Sequence, residues 1–135
     1  MRTIEFRGIC NFGALEGKMI YSESISQIRF KNEVEIKLWL DGEWFSIDSK
    51  TLGQFTGLLD KNGVKIFEGD VVKGSWGGQK DRIHSIVSAD WPTENGGWVL
   101  SGSGSPRMSL SMNMIFISKL EVIGNIYTNP ELLTN

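Results

Sequence analysis

Cysteine, histidine and long apolar runs are scarce in this sequence. Its 135 residues include one cysteine, Cys10, and one histidine, His84. A single cysteine excludes an intrachain disulfide and a cysteine-based zinc cluster, and it is typical of a protein from a reducing cytoplasm. The longest purely apolar run, residues 114–117, is far shorter than the roughly 20 residues of a membrane-spanning helix. The sequence therefore predicts a cytoplasmic protein that does not enter a membrane.

An excess of positive charge is also absent. Fourteen Lys and Arg residues oppose sixteen Asp and Glu residues, and the net charge is −2. Proteins that follow a phosphate backbone normally carry a basic patch or tail. Nucleic-acid binding is therefore disfavoured, but folding can gather scattered basic residues on one face, so we keep it as the alternative function. The residues of such a patch would be Lys73, Lys80, Arg82, His84 and Arg107.

Glycine, in contrast, is abundant, and the apolar residues follow a period of two. The chain has 16 Gly against 3 Pro, and its 40% apolar and 22% charged residues are the balance of a globular protein. Residues 34–40 alternate aliphatic side chains with mostly charged ones, which is the pattern of a half-buried strand. Asp41-Gly42 fits a two-residue hairpin turn, and residues 43–48 are predicted as the partner strand.

Further turns follow at short intervals. Asn62-Gly63 is predicted as a second turn of the same chemistry. Glu68-Gly69-Asp70 is predicted as a tight corner, in which the carboxylates hold the backbone rather than serve as a catalytic pair. The other predicted strands cover residues 64–67, 71–76, 82–91, 98–100, 108–114 and 120–127.

These elements predict an all-β, mainly antiparallel fold. We expect a small SH3-like or related β-barrel with an added N-terminal hairpin and a short C-terminal helical turn at residues 129–133. Residues 101–106, Ser-Gly-Ser-Gly-Ser-Pro, are predicted as a flexible loop. The chain is expected to form one domain, with sub-lobes over residues 1–50 (the hairpin region) and 51–135 (the small barrel).

His84 is the one histidine that could serve as a catalytic base. A hydrolase that uses His84 with Asp81 or Asp90 is the third candidate function, but no nucleophile-elbow motif accompanies it. A metal site would need Cys10 and His84 with two carboxylates, and no spacing supports that arrangement. We therefore predict no enzymatic activity, no metal and no other cofactor.

Tryptophan is frequent, with five residues in the chain. Large aromatic side chains most often close the ends of a small core. They are also over-represented among the residues that dominate protein–protein binding energy. The candidate binding residues are therefore Trp39, Trp76, Trp91 and Trp98.

Two long segments carry a family resemblance. Residues 51–73 contain Gly-Gln-Phe-Thr-Gly-Leu, an Asp-Lys-Asn-Gly turn and then Phe-Glu-Gly-Asp-Val-Val, and residues 121–133 close with Glu-Val-Ile-Gly-Asn-Ile-Tyr-Thr-Asn-Pro-Glu-Leu-Leu. The chain is in this respect similar to the YopX family of phage and prophage proteins, whose usual Tyr is replaced here by Phe55. Residues 74–118 match little. The resemblance implies a small, mostly β phage-type protein without established catalytic activity, and it supplies no catalytic residues.

Composition, motifs and resemblance together favour a non-enzymatic, protein-binding module. The expected partner is a protein, and a second copy of the chain is one candidate, because exposed hairpin edges can pair with each other. Nucleic acid stays the alternative partner, and no membrane is expected.

Overall fold

The computed structural model describes residues 4–74, 82–88, 98–102, 105–109 and 120–133. The chain is all-β and mainly antiparallel, with a sheet curled into a half-barrel, which confirms the predicted class. No α-helix occurs in the described residues; short 3₁₀ turns cover Gly13–Leu15, Ser49–Thr51 and Pro130–Leu133. The strands are β1 Phe6–Ile9, β2 Met19–Ser22, β3 Ile25–Phe30, β4 Glu33–Leu40, β5 Glu43–Ile47, β6 Gly53–Leu59, β7 Lys65–Phe67, β8 Asp70–Gly74, β9 Arg82–Ser88, β10 Trp98–Gly102, β11 Ser105–Ser109 and β12 Glu121–Asn125.

The chain divides into two compact units, Met1–Phe55 and Thr56–Asn135. Strand β6 crosses this boundary: its first residues pair with β1 in the first unit, and its later residues lie beside β7 in the second. None of the helical turns in the described residues has the length and apolar character needed to cross a lipid bilayer.

In the first unit, β3, β4 and β5 form an antiparallel meander. The turn between β4 and β5 has a positive φ at both central residues, 50° at Asp41 and 90° at Gly42. This is the left-handed geometry of a two-residue type I′ turn, which matches the twist of the strands it joins. The hairpin predicted from the alternation and from Asp41-Gly42 is confirmed.

One face of this meander forms the core of the first unit. Ile36 and Leu38 of β4 and Ile47 of β5 are buried, and Cys10 and Ile20 pack with them. Burying a side chain such as Leu38, which has no exposed surface, contributes roughly 2 kcal/mol relative to leaving it in water. Because side chains alternate along a strand, the residues between these core positions face outwards.

In the second unit, five strands form a sheet in the order β11-β10-β9-β8-β12. Its core contains Ile66, Val72, Ile86 and Leu120, all without exposed surface, and Leu58 and Val122 pack against it. The predicted C-terminal helical turn is present as the 3₁₀ turn Pro130–Leu133. The predicted strand over 120–127 is shorter, because residues 126–128 form a turn.

One local prediction was wrong, and one predicted turn is present with a different geometry. Residues 101–106 do not form a continuous loop, because Ser101 and Gly102 end β10, and β11 begins at Ser105, which pairs with Gly102. The polar composition concealed the end of one strand and the beginning of the next. The turn at Asn62-Gly63 is also longer than the two-residue type, as the Asp60 N–H donates to the Val64 carbonyl across three residues, of which only Gly63 has a positive φ, 79°. That is a three-residue hairpin loop with glycine at the left-handed position.

Candidate binding surface and buried polar groups

An aromatic pair stands on the outer face of the meander. Trp39 of β4 lies directly opposite Trp44 of β5, and the ring centroids are 5.1 Å apart at an interplanar angle of 71°. The Trp39 N–H donates to the Ser24 carbonyl on the β3 side, so Trp39 and Trp44 form a non-hydrogen-bonded pair, in which side chains approach most closely. Edge-to-face packing of this kind contributes about 1 kcal/mol beyond area burial.

Both side chains nevertheless keep a substantial exposed surface. Trp39 is 42% exposed and Trp44 is 44% exposed. On the same face of the sheet, Ile28 and Phe30 of β3 are 52% and 68% exposed. We call these four residues, Ile28, Phe30, Trp39 and Trp44, the aromatic face.

Polar groups divide the aromatic face into two apolar ends. The Lys37 ammonium lies 3.3 Å from the Glu35 carboxylate on this face of β4. Lys37 is the next residue after Trp39 on this face, and Glu35 lies directly opposite Ile28 of β3. The Lys31 ammonium lies 6.0 Å from the centre of the Phe30 ring, at the outer limit of a cation–π contact. The surface therefore offers two apolar patches and a charged centre of mixed sign.

The predicted tryptophan set is only partly described. Trp39 is exposed, as a binding residue must be, and Trp98 begins β10. Trp76 and Trp91 lie outside the described residues. Trp44 was not among the predicted residues, although the sequence held the signal, because a two-residue turn at Asp41-Gly42 sets residue 39 opposite residue 44.

The described residues of the alternative nucleic-acid patch are spread over three strands, β8, β9 and β11. His84 of β9 is 2% exposed, so a surface patch would have to form without its ring. Lys73 of β8 is exposed, and Glu121 of β12 lies directly opposite it. Arg107 belongs to β11, and two strands, β9 and β10, separate it from Lys73.

The structure describes only some of the remaining residues of that patch and of the hydrolase hypothesis. Arg82 begins β9, whereas Lys80 lies outside the described residues. Asp81 and Asp90, the acids considered for a hydrolase with His84, also lie outside them. Within the described ranges, no three side chains of His, Cys, Asp or Glu lie close enough together to hold a metal ion.

Asp60 is a buried carboxylate that ties two segments together. Its Oδ1 accepts the N–H of Asn62 at 2.8 Å and that of Val64 at 2.9 Å, both in its own turn. Its Oδ2 accepts the N–H of Val122 in β12 at 2.9 Å. Burial by itself raises the pKa of Asp60, but the three N–H donors and the Lys61 ammonium lower it by more, so that it lies below its ordinary value of 3.8.

Asp70 has a similar structural position at the corner of the second unit. Its carboxylate, 2% exposed, accepts the N–H of Phe67 at 2.7 Å. The neighbouring Gly69 donates its N–H to the Ile86 carbonyl and accepts from the N–H of Ile126, so the corner is bonded to β9 and to the turn after β12. These contacts agree with the prediction that a carboxylate at this corner holds the backbone by hydrogen bonds.

Fold and surface define a small, mainly antiparallel β-protein of two units with an exposed aromatic patch on one meander. The model of the YopX protein family matches residues 7–134, nearly the whole length, and the chain belongs to that family. The crystal structure of protein EF1440 from Enterococcus faecalis is similar to it, with a TM-score of 0.56 and 24% identity over 98% of this chain and 99% of that one. At that identity the likeness concerns the fold. No curated protein matches the chain.

Proposed function

We propose that this YopX-family protein is a non-enzymatic, protein-binding module of a phage or prophage, acting in the cytoplasm of the host cell. The observation that carries the proposal is the aromatic face. Small monomeric proteins usually bury such side chains, and clustered exposed Trp and Phe residues are typical of binding surfaces.

The exposed surface of the tryptophan pair is large enough to contribute substantially to the free energy of binding. Covering the exposed part of Trp39 and Trp44 would contribute roughly 2 kcal/mol for each ring at about 25 cal/mol per Å². The pair is already packed ring against ring, so that little side-chain entropy is lost when a partner docks. The mixed charges of Glu35 and Lys37 favour a protein partner with polar groups between two apolar contacts over a polyanion.

The buried polar groups support a role without catalysis. His84 is buried, and the carboxylates of Asp60 and Asp70 accept backbone N–H groups, which is a structural use. A catalytic acid or base must reach the proton that it transfers. These groups lack the solvent contact that such a reach requires.

Site-specific photo-crosslinking in host cells tests the proposal. A photoreactive phenylalanine analogue is placed at Trp44 in the full-length chain, and the matched control carries it at Val64, which is 49% exposed in the second unit. We expect discrete adducts from position 44 that protease digests and nuclease leaves intact, and none from position 64.

Each other outcome has a definite meaning. Nuclease-sensitive adducts at position 44 would replace the proposal by the nucleic-acid alternative. Equal adducts at positions 44 and 64, or none at either position, would contradict a binding role of the aromatic face. An adduct of twice the mass of one chain would identify the partner as a second copy.

A further inference from the structure

In the part of the chain that the structure describes, the three-stranded meander has one open edge. In the described residues β5 is covered on its outer side, because the Asp48 N–H donates to the Ile9 carbonyl and the Asn11 N–H donates to the Ser46 carbonyl. Strand β3 has β4 as its one neighbour in the sheet. An edge strand with unpaired backbone groups is a template for another strand.

The ladder determines which groups point outwards from β3. The Trp39 N–H donates to the Ser24 carbonyl, so residue 24 and every second residue after it direct their backbone groups towards β4. The intervening residues, Ile25, Gln27 and Arg29, therefore direct their N–H and C=O groups away from the sheet. Gln27 and Arg29 are also exposed at the side chain.

We infer that β3 pairs with β3 of a second copy of this chain, antiparallel and about a two-fold axis at Gln27. In this register Ile25 lies opposite Arg29 of the second copy, and Gln27 lies opposite its own equivalent. All three outward residues then form hydrogen-bonded pairs, and three pairs with two bonds each make six backbone hydrogen bonds. The inference goes beyond the proposed function, since it concerns the sheet edge and not the aromatic face.

A register shifted by one residue makes fewer backbone hydrogen bonds. Shifting the axis to Ile28 leaves two outward pairs inside β3, Gln27 with Arg29 and the reverse. The axis at Gln27 also sets Glu23, which precedes β3, at the end of the pairing where Lys31 of the second copy follows its β3. Both of these charged residues are exposed, and opposite charges that meet across a strand pair are favourable.

The pairing would join the two meanders into one sheet of six strands. Residues that lie opposite each other in a sheet share a face, so Ile28 and Phe30 of both copies would lie on the same side. Ile28 would lie opposite Ser26 of the second copy and diagonal to its equivalent, within reach of side-chain contact. The apolar parts of both aromatic faces would thus become continuous across the joint.

A charge exchange at the axis tests the inference. In Gln27→Lys or Gln27→Glu, like charges meet across the two-fold axis, while an equimolar mixture of the two variants sets opposite charges there. The matched controls are Gln54→Lys and Gln54→Glu, which change an exposed glutamine on β6. Sedimentation velocity on the full-length chain, over a wide concentration range, measures the mass of the species.

We expect the wild-type chain to form dimers and each Gln27 variant to dissociate with a dissociation constant raised roughly fivefold or more. The mixture is expected to recover the dimer, and the Gln54 variants are expected to behave like wild type. A wild-type chain that stays monomeric throughout overturns the inference, as does a dimer that both Gln27 variants leave unchanged. Neither result decides the outcome of the crosslinking experiment, in which a different protein can still be captured at position 44.

Discussion

Replacing Asp60 by asparagine should destabilise the second unit far more than an ordinary surface change. The asparagine oxygen can still accept from Asn62 and Val64, but its NH₂ group would face the Val122 N–H, which now donates to Oδ2 at 2.9 Å. The variant thus loses one charge-assisted hydrogen bond, weakens two others and leaves a half-buried donor without an acceptor. We expect a loss of about 3 kcal/mol in the free energy of unfolding, or a decrease of roughly 10 °C in Tm.

The same substitution at Asp48 is the control. Asp48 is exposed and accepts one backbone N–H, that of Lys50 at 3.1 Å. Its replacement by asparagine should cost less than about 1 kcal/mol, since an amide oxygen can accept that bond equally well. Urea unfolding gives both free energies, and amide hydrogen exchange at Val122 locates the effect. Equal losses from Asp60→Asn and Asp48→Asn would refute the reasoning.

The pKa of Asp60 adds a test in pH. Because its folded-state pKa lies below 3.8, the folded state favours the charged carboxylate, and this contribution to stability is fully present above the unfolded-state pKa. It is lost as the pH falls through the folded-state pKa. The stability difference between wild type and Asp60→Asn should therefore be constant near neutrality and shrink in acid below about pH 4. A difference independent of pH would show that the charge is unimportant.

Two further changes test the corner and the aromatic pair. Gly69 has a φ of 90°, and a Cβ there would lie 2.8 Å from Tyr127 Cε2, whereas Gly57, with a φ of 89°, has no atom within 4 Å of that point. Gly69→Ala should therefore cost about 2 kcal/mol more than Gly57→Ala in urea unfolding, and equal costs would contradict the contact with Tyr127. Trp44→Val should cost about 1 kcal/mol and remove the coupled tryptophan signal in circular dichroism; an unchanged signal would show that Trp39 and Trp44 do not pack together in solution.

The parts of the fold that follow from local chemistry were predictable from the sequence. The alternation along residues 34–40 predicts β4, and the Asp41-Gly42 turn predicts β5 and the register. A two-residue turn sets residue 40 opposite residue 43, and every other pair follows from that one. The segment 101–106 was not predictable in the same way. Ser and Gly residues have low strand propensity, and Ser101, Gly102 and Ser105 are extended because β9 and β10 offer neighbours in the ladder.

The candidate surface could be read only in part. Trp39 was identifiable as the aromatic residue on the charged face of its strand, and Trp44 would have followed from the turn length. No pattern in the sequence indicated that Ile28 and Phe30 are exposed, since an aliphatic or aromatic residue on a strand is usually buried. The contacts of Asp60 with Val122 join residues 62 positions apart, and local patterns carry no information on such a pairing.

The aromatic face is a geometric consequence of the same pattern that builds the core. Because side chains alternate along β4, burying Ile36 and Leu38 inevitably directs Trp39 outwards. The two-residue turn then sets Trp44 against it in the close type of cross-strand pair. A register slip of one residue would move the tryptophans inwards and the core residues into water, so selection for the core alone already holds the ring pair in place. What the core does not require is that positions 39 and 44 be tryptophan, and the choice of two large apolar rings on a solvent face is the feature that a binding partner explains.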